Sequence, residues 1–400
     1  MSRKILLLGG SRYALPVIDT AHKLDCKVYT CDYLPKNIAH KYSDGYENIS
    51  IVDKEAVLNI AKKMKVDGIM SFACDPGVVT AAYVAEKMGL PSAGSYKSVC
   101  ILQNKKKFRK LLLDNGFNVP MARGYKRIGD ALEQMEEFLF PVIVKPTDSA
   151  GSKGVTKVES VDGMKSAIDH ALGHSIDGEF IVEKFLESKG NPSDSECFSI
   201  DGELKFVSYS SQGFDGECGN PYAPTGFTWV PTISEPHQKE LSSELQRLLR
   251  ILGMRTSLYN VETRESIDGK AYIMEVSPRG GGNRLAEMLR YSTGVDLIEL
   301  AVKAALGDTI GEIQDYTIND FWAEIILHSK KSGHYKGLSI SEELKKYIVE
   351  TDIWVAEGDL VENFSGANKA VGTLILRFDD KKLMSQVMSK PSQYVFVDVG

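Results

Sequence analysis

The residues with the clearest chemical character are two glutamates in a predicted β-hairpin. Glu262 and Glu275 occupy near-facing positions in YNVETR and AYIMEVSPR, each between apolar neighbours. Two nearby carboxylates in a buried hairpin repel, so either a cation lies between them or each has its own basic partner. Mg²⁺ is the natural cation, because it prefers hard oxygen ligands and completes its shell with phosphate oxygens. Arg279 follows within reach of the same place and could hold a phosphoryl group.

A second stretch places one lysine at the end of an apolar strand, just before a loop of small residues. Lys145 ends the apolar run PVIVK, and the loop Ser149–Val155 reads SAGSKGV. Glycine lets backbone N–H groups converge on an anion, and such concave runs of amides bind phosphate. The stretch predicts a phosphate site to which Lys145 adds a positive charge. A surface hairpin with a strand-end lysine is the alternative.

A third stretch, Phe180–Leu186, is an apolar strand that ends in a charged pair and two further apolar residues, FIVEKFL. Backbone groups at such a strand end could pair with the edge of an adenine, while apolar side chains cover its face. An ordinary strand end is the simpler interpretation, because short apolar runs are ambiguous.

The elements that position these stretches begin with about one hundred residues of alternating strand and helix. Strands are predicted at Lys4–Leu8, Lys27–Cys31 and Gly68–Phe72, with helices between them. This rhythm favours an open parallel sheet with helices on its faces. The turn Gly9-Gly10-Ser11 lacks the dinucleotide fingerprint. It either opens a helix or borders a pocket at the carboxyl ends of the strands.

The rhythm changes after a basic helix at Gln103–Asn115. The strands predicted next are Phe140–Lys145, Thr156–Glu159, Phe180–Lys184, Glu196–Ile200, Leu204–Ser210, Leu258–Arg264 and Ala271–Val276. Clustered antiparallel strands with helices indicate an α+β arrangement. The Gly- and Pro-containing segment Ser210–Pro231 is predicted to be a loop that lines a substrate pocket. The last strands are predicted at Trp322–Leu327, Ile353–Ala356 and Val371–Phe378.

Composition and charge narrow the class of protein. The 400 residues are 43% hydrophobic with a net charge of −6, which suits a globular protein of two or three domains. Mild acidity gives no electrostatic reason to expect nucleic acid or an anionic membrane as a partner. The six cysteines form no C-x-x-C pair, and no apolar run is long enough for a leader or a membrane span. A cytoplasmic location is therefore expected.

These stretches, in this order and at these separations, resemble the ATP-grasp superfamily of ligases. The resemblance covers almost the whole chain and implies three domains. Residues 1–100 would form an N-terminal open parallel α/β domain. Residues 101–310 would form the ATP-grasp fold of two α+β lobes, and residues 311–400 a small C-terminal cap or lid.

The resemblance assigns a set of residues to ATP. The run NKKKFR at 104–109 is similar to the family's D-K-x-x-F-R, which makes Lys105 the first phosphate-binding lysine and Lys145 the second. The residues implied around the nucleotide are Lys105, Lys145, Ser152, Gly154, Val155, Glu183, Lys184, Phe185, Leu186 and Glu196. Glu183, Lys184, Phe185 and Leu186 would form the adenine-binding hinge. Glu196 would bind ribose, and Asp194 competes for that role.

The resemblance also implies the metal and substrate residues. Glu262 and Glu275 match the magnesium carboxylates, and Ser277 stands where many members have an asparagine. A serine hydroxyl can still accept a metal bond. Arg279 would stabilise the phosphoryl group, and Arg284, after three glycines, would lie near the carboxylate of an acceptor substrate.

The implied function is an ATP-dependent carboxylate–amine ligase. ATP with Mg²⁺ or Mn²⁺ would phosphorylate a small carboxylate, and an amine would then displace phosphate from the acyl phosphate. The partners are small-molecule substrates, with neither nucleic acid nor membrane, and a homodimer is compatible with the resemblance. The alternatives are a carboxylase that uses carboxyphosphate and a non-catalytic ATP-binding regulatory protein.

Overall fold

The chain begins with a four-stranded parallel sheet. The computed structural model, which describes residues 2–149, 151–314 and 316–400, orders its strands β3-β2-β1-β4. The strands are β1 (Lys4–Leu8), β2 (Lys27–Cys31), β3 (Gly45–Glu47) and β4 (Gly68–Ser71). The helices are α1 (Leu15–Lys23), α2 (Lys54–Met64) and α3 (Asp75–Met88). All three strand pairs are parallel, which confirms the predicted sheet.

The turn after β1 is tight and closely packed. Gly9 has a φ of +102°, a conformation that favours glycine. A Cβ at Gly10 would lie 2.2 Å from the His40 ring, so no side chain fits there. The turn leads through Ser11 into a short 3₁₀ turn and then α1, as in the interpretation of a turn that opens a helix.

Two helices lead to a second, antiparallel sheet with the order β5-β8-β6-β7. The helices of this part are α4 (Tyr96–Leu102), α5 (Lys105–Asp114), α6 (Ile128–Glu133) and α7 (Met164–Leu172). The strands are β5 (Ala122–Tyr125), β6 (Val142–Pro146), β7 (Thr156–Val158) and β8 (Phe180–Lys184). Asn104 caps α5 by accepting a hydrogen bond from the Lys107 N–H at 3.0 Å, which fixes where that helix begins.

A third sheet with the order β10-β9-β13-β14 is antiparallel throughout. Its strands are β9 (Ser193–Ile200), β10 (Glu203–Val207), β13 (Ser257–Glu265) and β14 (Ala271–Ser277). Helix α8 (Glu235–Leu252) presents buried leucines and belongs to the apolar core behind this sheet. We call this sheet the central sheet.

The remaining strands form a five-stranded sheet and a small three-stranded sheet, ordered β11-β12-β15-β19-β17 and β18-β16-β20. The five are β11 (Ser211–Phe214), β12 (Pro224–Thr228), β15 (Phe321–Leu327), β17 (Ile348–Ile353) and β19 (Gly372–Phe378). The three are β16 (Gly333–Ile340), β18 (Leu360–Val361) and β20 (Val395–Val399). The helices are α9 (Leu285–Thr293), α10 (Leu297–Leu306), α11 (Glu342–Lys345) and α12 (Lys381–Ser389).

Two expectations about these strands were wrong. The segment Ser210–Pro231 is not only a loop, because it contains the paired strands β11 and β12. Its glycines conceal the pattern, although Phe227 is fully buried. The strand expected at Ile353–Ala356 lies earlier, at Ile348–Ile353. Polar residues at alternate positions, Glu350 and Asp352, disguise it in the sequence.

The expected boundary near residue 310 is crossed by the five-stranded sheet, since β12 pairs with β15. The same is true of the largest apolar cluster. It includes Ile5, Phe198, Phe227 and Ile326, which come from four strands in three different sheets. None of the helices in the described ranges has both the length and the apolar character that a membrane crossing requires.

Truncation of the chain after residue 310 tests this shared core. The shortened protein loses β15, which pairs with β12, and uncovers the fully buried Phe227. We expect the full chain to show a cooperative thermal transition by circular dichroism and the fragment to lack it, because a core cut through its middle is not stable. A cooperative transition with native-like sheet content in the 1–310 fragment would instead support independent folding of the predicted domains.

Candidate functional site

Three carboxylates form a row across the central sheet. Glu262 on β13 is directly opposite Glu275 on β14, which confirms the predicted facing positions. On its other side Glu262 is opposite Asp194 on β9. Directly opposed side chains in a sheet lie about 5 Å apart, so like charges repel along this row.

A second row lies two residues further along the same strands and shares the same face. It consists of Glu196, Asn260 and Ser277. The Asn260 amide bridges the two rows, because its Nδ2 donates to Asp194 Oδ1 at 2.6 Å. Asn260 was not among the predicted site residues. Its position two residues before Glu262 was the available signal, and it supplies an amide opposite the serine that replaces the usual asparagine.

Two acids of this face, Asp194 and Glu196, form no ion pair among the residues that the structure describes, although the charge of Arg279 acts on both. Burial and the charge of Glu262 raise the pKa of Asp194 to about 7. Burial raises the pKa of Glu196 to about 8, although its Oε1 accepts a hydrogen bond from the Gly281 N–H at 2.8 Å. Glu196 Oε2 is buried and has no hydrogen-bond partner among the residues described. Hard oxygen donors with unmet capacity fit a bound Mg²⁺.

Lys105 connects the small-residue loop to this face. Its backbone N–H donates to Thr147 O at 2.8 Å, and its Nζ donates to Ser149 O at 2.7 Å. The same Nζ lies 3.5 Å from Glu275 Oε2. The next lysine along the chain, Lys106, instead pairs with Glu179 at 2.8 Å. Lys105, which the family resemblance assigns to phosphate binding, is therefore the lysine of this run whose side chain reaches Glu275.

Lys145 is held by a buried carboxylate. Its Nζ contacts Glu183, whose other oxygen accepts a hydrogen bond from Arg109 Nε at 3.1 Å. Burial alone would raise the pKa of Glu183, but the charges of Arg109 and Lys145 lower it to about 2. Burial also lowers the pKa of Lys145, and Glu183 opposes this change. The Glu183 side chain thus contacts two cations, which leaves the rest of the predicted hinge for an adenine.

The hinge has one residue with open backbone groups. The N–H groups of Lys184 and Phe185 donate to Met121 O and Pro141 O, at 2.8 and 3.1 Å. In the part of the chain that the structure describes, the Leu186 N–H and C=O have no hydrogen-bond partner. The buried Leu186 side chain clusters with Tyr272 and Met274. Open backbone groups beside an apolar cluster could accommodate the edge and face of a base.

The small-residue loop has the backbone conformations expected of an anion-binding turn. Ser152 and Gly154 both have positive φ values, +58° and +72°. Ser152 Oγ donates to Tyr222 O at 3.2 Å, so the loop contacts the connection between β11 and β12. Of the predicted loop Ser149–Val155, Ala150 lies outside the described residues.

Arg279 is bound to a carboxylate of the N-terminal sheet region. Its Nε and Nη2 donate to the two oxygens of Asp75 at 2.9 and 2.6 Å, and its Nη1 donates to Gly280 O. Ser277 Oγ also donates to Asp75, at 2.7 Å, and accepts from Gln103 Nε2. The guanidinium expected at a phosphoryl group is therefore already paired. Asp75 follows a strand end of an open α/β sheet, where ligand-contacting residues are commonly found.

Arg284 lies apart from the carboxylate face. The loop that joins it to Arg279 needs small residues, because a Cβ at Gly281 would be 2.4 Å from Glu196 Oε1. Arg284 itself contacts the five-stranded sheet, with Nη2 2.8 Å from Glu350 Oε1 and Nη1 3.3 Å from Thr373 Oγ1. The structure thus brings Lys105, Glu262 and Glu275 together and leaves Arg284 on another surface.

Comparisons with known proteins show what this chain is similar to. Residues 119–201 match the family model described as D-ala D-ala ligase C-terminus. The carbamoyl phosphate synthase large chain of Thermoanaerobacter sp. (strain X514) is 25% identical over 290 residues. That match covers 70% of this chain and 26% of the relative, so the chain spans about a quarter of the length of such relatives.

Two solved structures share the whole fold. L-amino acid ligase from Bacillus licheniformis has a TM-score of 0.82 at 18% identity and covers 100% of this chain and 99% of its own. The biotin carboxylase domain of the Hydrogenobacter thermophilus 2-oxoglutarate carboxylase, in complex with MgADP, ADP and bicarbonate, has a TM-score of 0.75 at 15% identity. It covers 100% of this chain and 91% of its own.

Replacement of Glu183 by glutamine tests the buried pair. It leaves Arg109 and Lys145 without their counter-charge, so we expect a loss of about 3–5 kcal/mol in the free energy of unfolding, measured with urea at pH 7. In the folded protein the pKa of Glu183 lies below its ordinary 4.5. The stabilisation that the Glu183 carboxylate contributes is complete above pH 4.5 and is lost as the pH falls towards 2. The difference in unfolding free energy between E183Q and the parent protein is therefore expected to become smaller at low pH.

The matched control is Glu137→Gln, which removes the partner of Arg123 in a surface ion pair. Exposed pairs contribute little, so the unfolding curve of this variant is expected to overlay that of the parent protein. Equal effects of the two substitutions would contradict a structural role for Glu183.

Proposed function

Because the chain belongs to the ATP-grasp superfamily, we propose that it is an ATP- and Mg²⁺-dependent ligase that phosphorylates a small carboxylate and joins it to an amine. The observation that carries this proposal is the carboxylate row Asp194, Glu262 and Glu275, with the Lys105 ammonium beside it. Acidic oxygens and a lysine at one place suit a metal-bound polyphosphate.

In this proposal ATP lies between the second sheet and the central sheet. The adenine pairs with the open Leu186 backbone and stacks on the cluster with Met274. Lys105 and Lys145 approach the phosphates together with the loop of Ser152, Gly154 and Val155. Glu183 positions Lys145, and Glu196 or Asp194 remains available for the ribose.

Glu262 and Glu275 are the residues that would hold Mg²⁺, or Mn²⁺, which has similar ligand preferences. A bound divalent ion would neutralise charge on the phosphates during transfer. Ser277 is a weaker candidate for a metal ligand than its position suggests, because its hydroxyl is hydrogen-bonded to Asp75 and Gln103. Asn260, opposite it, offers an amide oxygen on the same face.

The reaction then has two steps. A carboxylate oxygen attacks the γ-phosphorus of ATP, the bond to the β-phosphate oxygen breaks, and ADP leaves an acyl phosphate behind. The amine attacks the acyl carbon, loses a proton and expels inorganic phosphate. The protein positions the reactants and balances charge, so no nucleophilic side chain is required.

The first experiment measures ADP and phosphate release with Mg²⁺ and ATP against amino acids and small carboxylates, singly and in pairs, with bicarbonate as a separate arm. We expect release that depends on a carboxylate–amine pair. Glu275→Gln is expected to lower this rate on the order of 100-fold or more, because it removes a carboxylate that would hold the divalent ion at the phosphates.

The exposed Glu343→Gln serves as the control and is expected to leave the rate unchanged. Stimulation by bicarbonate alone would favour the carboxylase alternative. If nucleotide binds and neither substrate pairs nor bicarbonate stimulate release, the ligase proposal fails and a regulatory role gains support. Full activity of Glu275→Gln would refute the assignment of the metal site.

A further inference from the structure

A second group of carboxyl groups surrounds Arg284, on one face of the five-stranded sheet. On that face Glu324 of β15 and Glu350 of β17 are both opposite Ile375 of the intervening strand β19. Asp352 follows two residues after Glu350, and Glu287 approaches from the start of α9. We call Glu287, Glu324, Glu350 and Asp352 the acidic cluster.

Glu324 is the unusual member of the acidic cluster. Its solvent exposure is 0%, and neither carboxylate oxygen has a hydrogen-bond partner within residues 2–149, 151–314 and 316–400. Burial raises the pKa of Glu324 well above its ordinary value; the charge of Arg284 opposes this rise, and Glu287 adds to it. A buried carboxyl group without a partner is costly, and such groups are rare outside functional sites.

Arg284 does not satisfy this carboxyl group. Its Nη2 contacts Glu350 at 2.8 Å, its Nε lies 3.5 Å from Glu287, and its Nη1 donates to Thr373. One guanidinium therefore faces four carboxyl groups. Arg290, whose charge also acts on Glu287, pairs with Asp296, and Arg12 lies over the Trp354 ring.

The acidic cluster adjoins the proposed active site through the loop 279–284. The early part of that loop touches the carboxylate face, where the Gly281 N–H donates to Glu196. The late part touches the acidic cluster through Arg284 and the N-terminal region through Asn283, whose Oδ1 accepts from Tyr13. Burial, with Glu324 and Glu287 next in effect, raises the pKa of Tyr13, so this phenol is neutral and can donate a hydrogen bond.

We propose that the acidic cluster binds an organic ammonium group of a substrate, with Glu324 as its principal acceptor. An ammonium carries three N–H donors and one positive charge, which match the open oxygens of Glu324 and the excess of carboxyl groups around Arg284. The inference rests on the proposed function for its substrate, and it replaces the expectation that Arg284 receives a carboxylate. The ammonium belongs either to the carboxylate substrate, as in an amino acid, or to the amine substrate.

The test measures thermal stabilisation of the full chain, which needs no turnover. The probes are the twenty L-amino acids, their amides and putrescine, each compared with the analogue that has a hydroxyl in place of the ammonium. We expect at least one ammonium compound to raise the melting temperature and its hydroxyl analogue to have no effect. A response to an amino acid but not its amide assigns the ammonium to the carboxylate substrate. A response to amides or putrescine assigns it to the amine substrate.

Two variants and a control identify the acceptor. Glu324→Gln is expected to raise the half-maximal probe concentration at least tenfold, as loss of a charged hydrogen bond requires. It should itself fold at least as stably, because it removes a buried carboxyl group without a partner. Glu287→Gln should have the same effect to a smaller degree. Glu357→Gln, exposed in the loop after β17, should leave the concentration unchanged.

Absence of any response to ammonium compounds in the parent protein overturns the inference, as does an unchanged response in Glu324→Gln. Failure of the proposed function is distinct from both results. If the proposed function is wrong, the parent protein shows no Mg²⁺-dependent ATP binding. If it is right, Glu324→Gln is expected to bind ATP with an affinity within twofold of the parent protein.

Discussion

The ion pair between Asp75 and Arg279 is the contact on which the arrangement of the site depends. It joins the first helix after β4 to the end of β14 through two parallel hydrogen bonds, a geometry that fixes orientation as well as distance. The N–H of Ala73 donates to Gly280 O at 2.9 Å beside it. These contacts fix the position of the N-terminal sheet relative to the central sheet. The loop that begins at Arg279 can therefore pass between the carboxylate face and the acidic cluster.

Five buried or partly buried carboxyl groups differ in whether a cation pairs with them. Glu183 and Asp75 each have a cationic partner in direct contact, and their pKa values are lowered despite burial. Among the residues described, Asp194, Glu196 and Glu324 have no cation within ion-pair distance, and their pKa values are raised. The two paired carboxylates hold the structure together, since removal of either partner would leave an uncompensated charge. The other three lie where a ligand can supply the missing positive charge, as expected of functional sites.

Sequence patterns predicted the parts of the molecule that local chemistry controls. Apolar runs with flanking glycines located the parallel strands, and the hairpin around the polar turn at 266–270 placed Glu262 near a facing position to Glu275. The residues missed depend on distant pairing. Asn260 acquires its role only because β9 brings Asp194 alongside it. The hairpin β11–β12 is stabilised by β15, about one hundred residues later, so its own glycine-rich sequence indicates little.

Distant residues also change which ligand the surroundings of Arg284 suit. By sequence it follows a glycine run beside a proposed phosphate site, and a guanidinium there favours an anionic partner. In the fold, β15 and β17 surround it with carboxyl groups that come from residues 324, 350 and 352. Arg279 is compensated by Asp75 in the same way. With both arginines paired, acidic residues determine the charge on each side of the loop that joins them. One side is suited to a metal ion that accompanies phosphates, and the other to a substrate that carries its own positive charge.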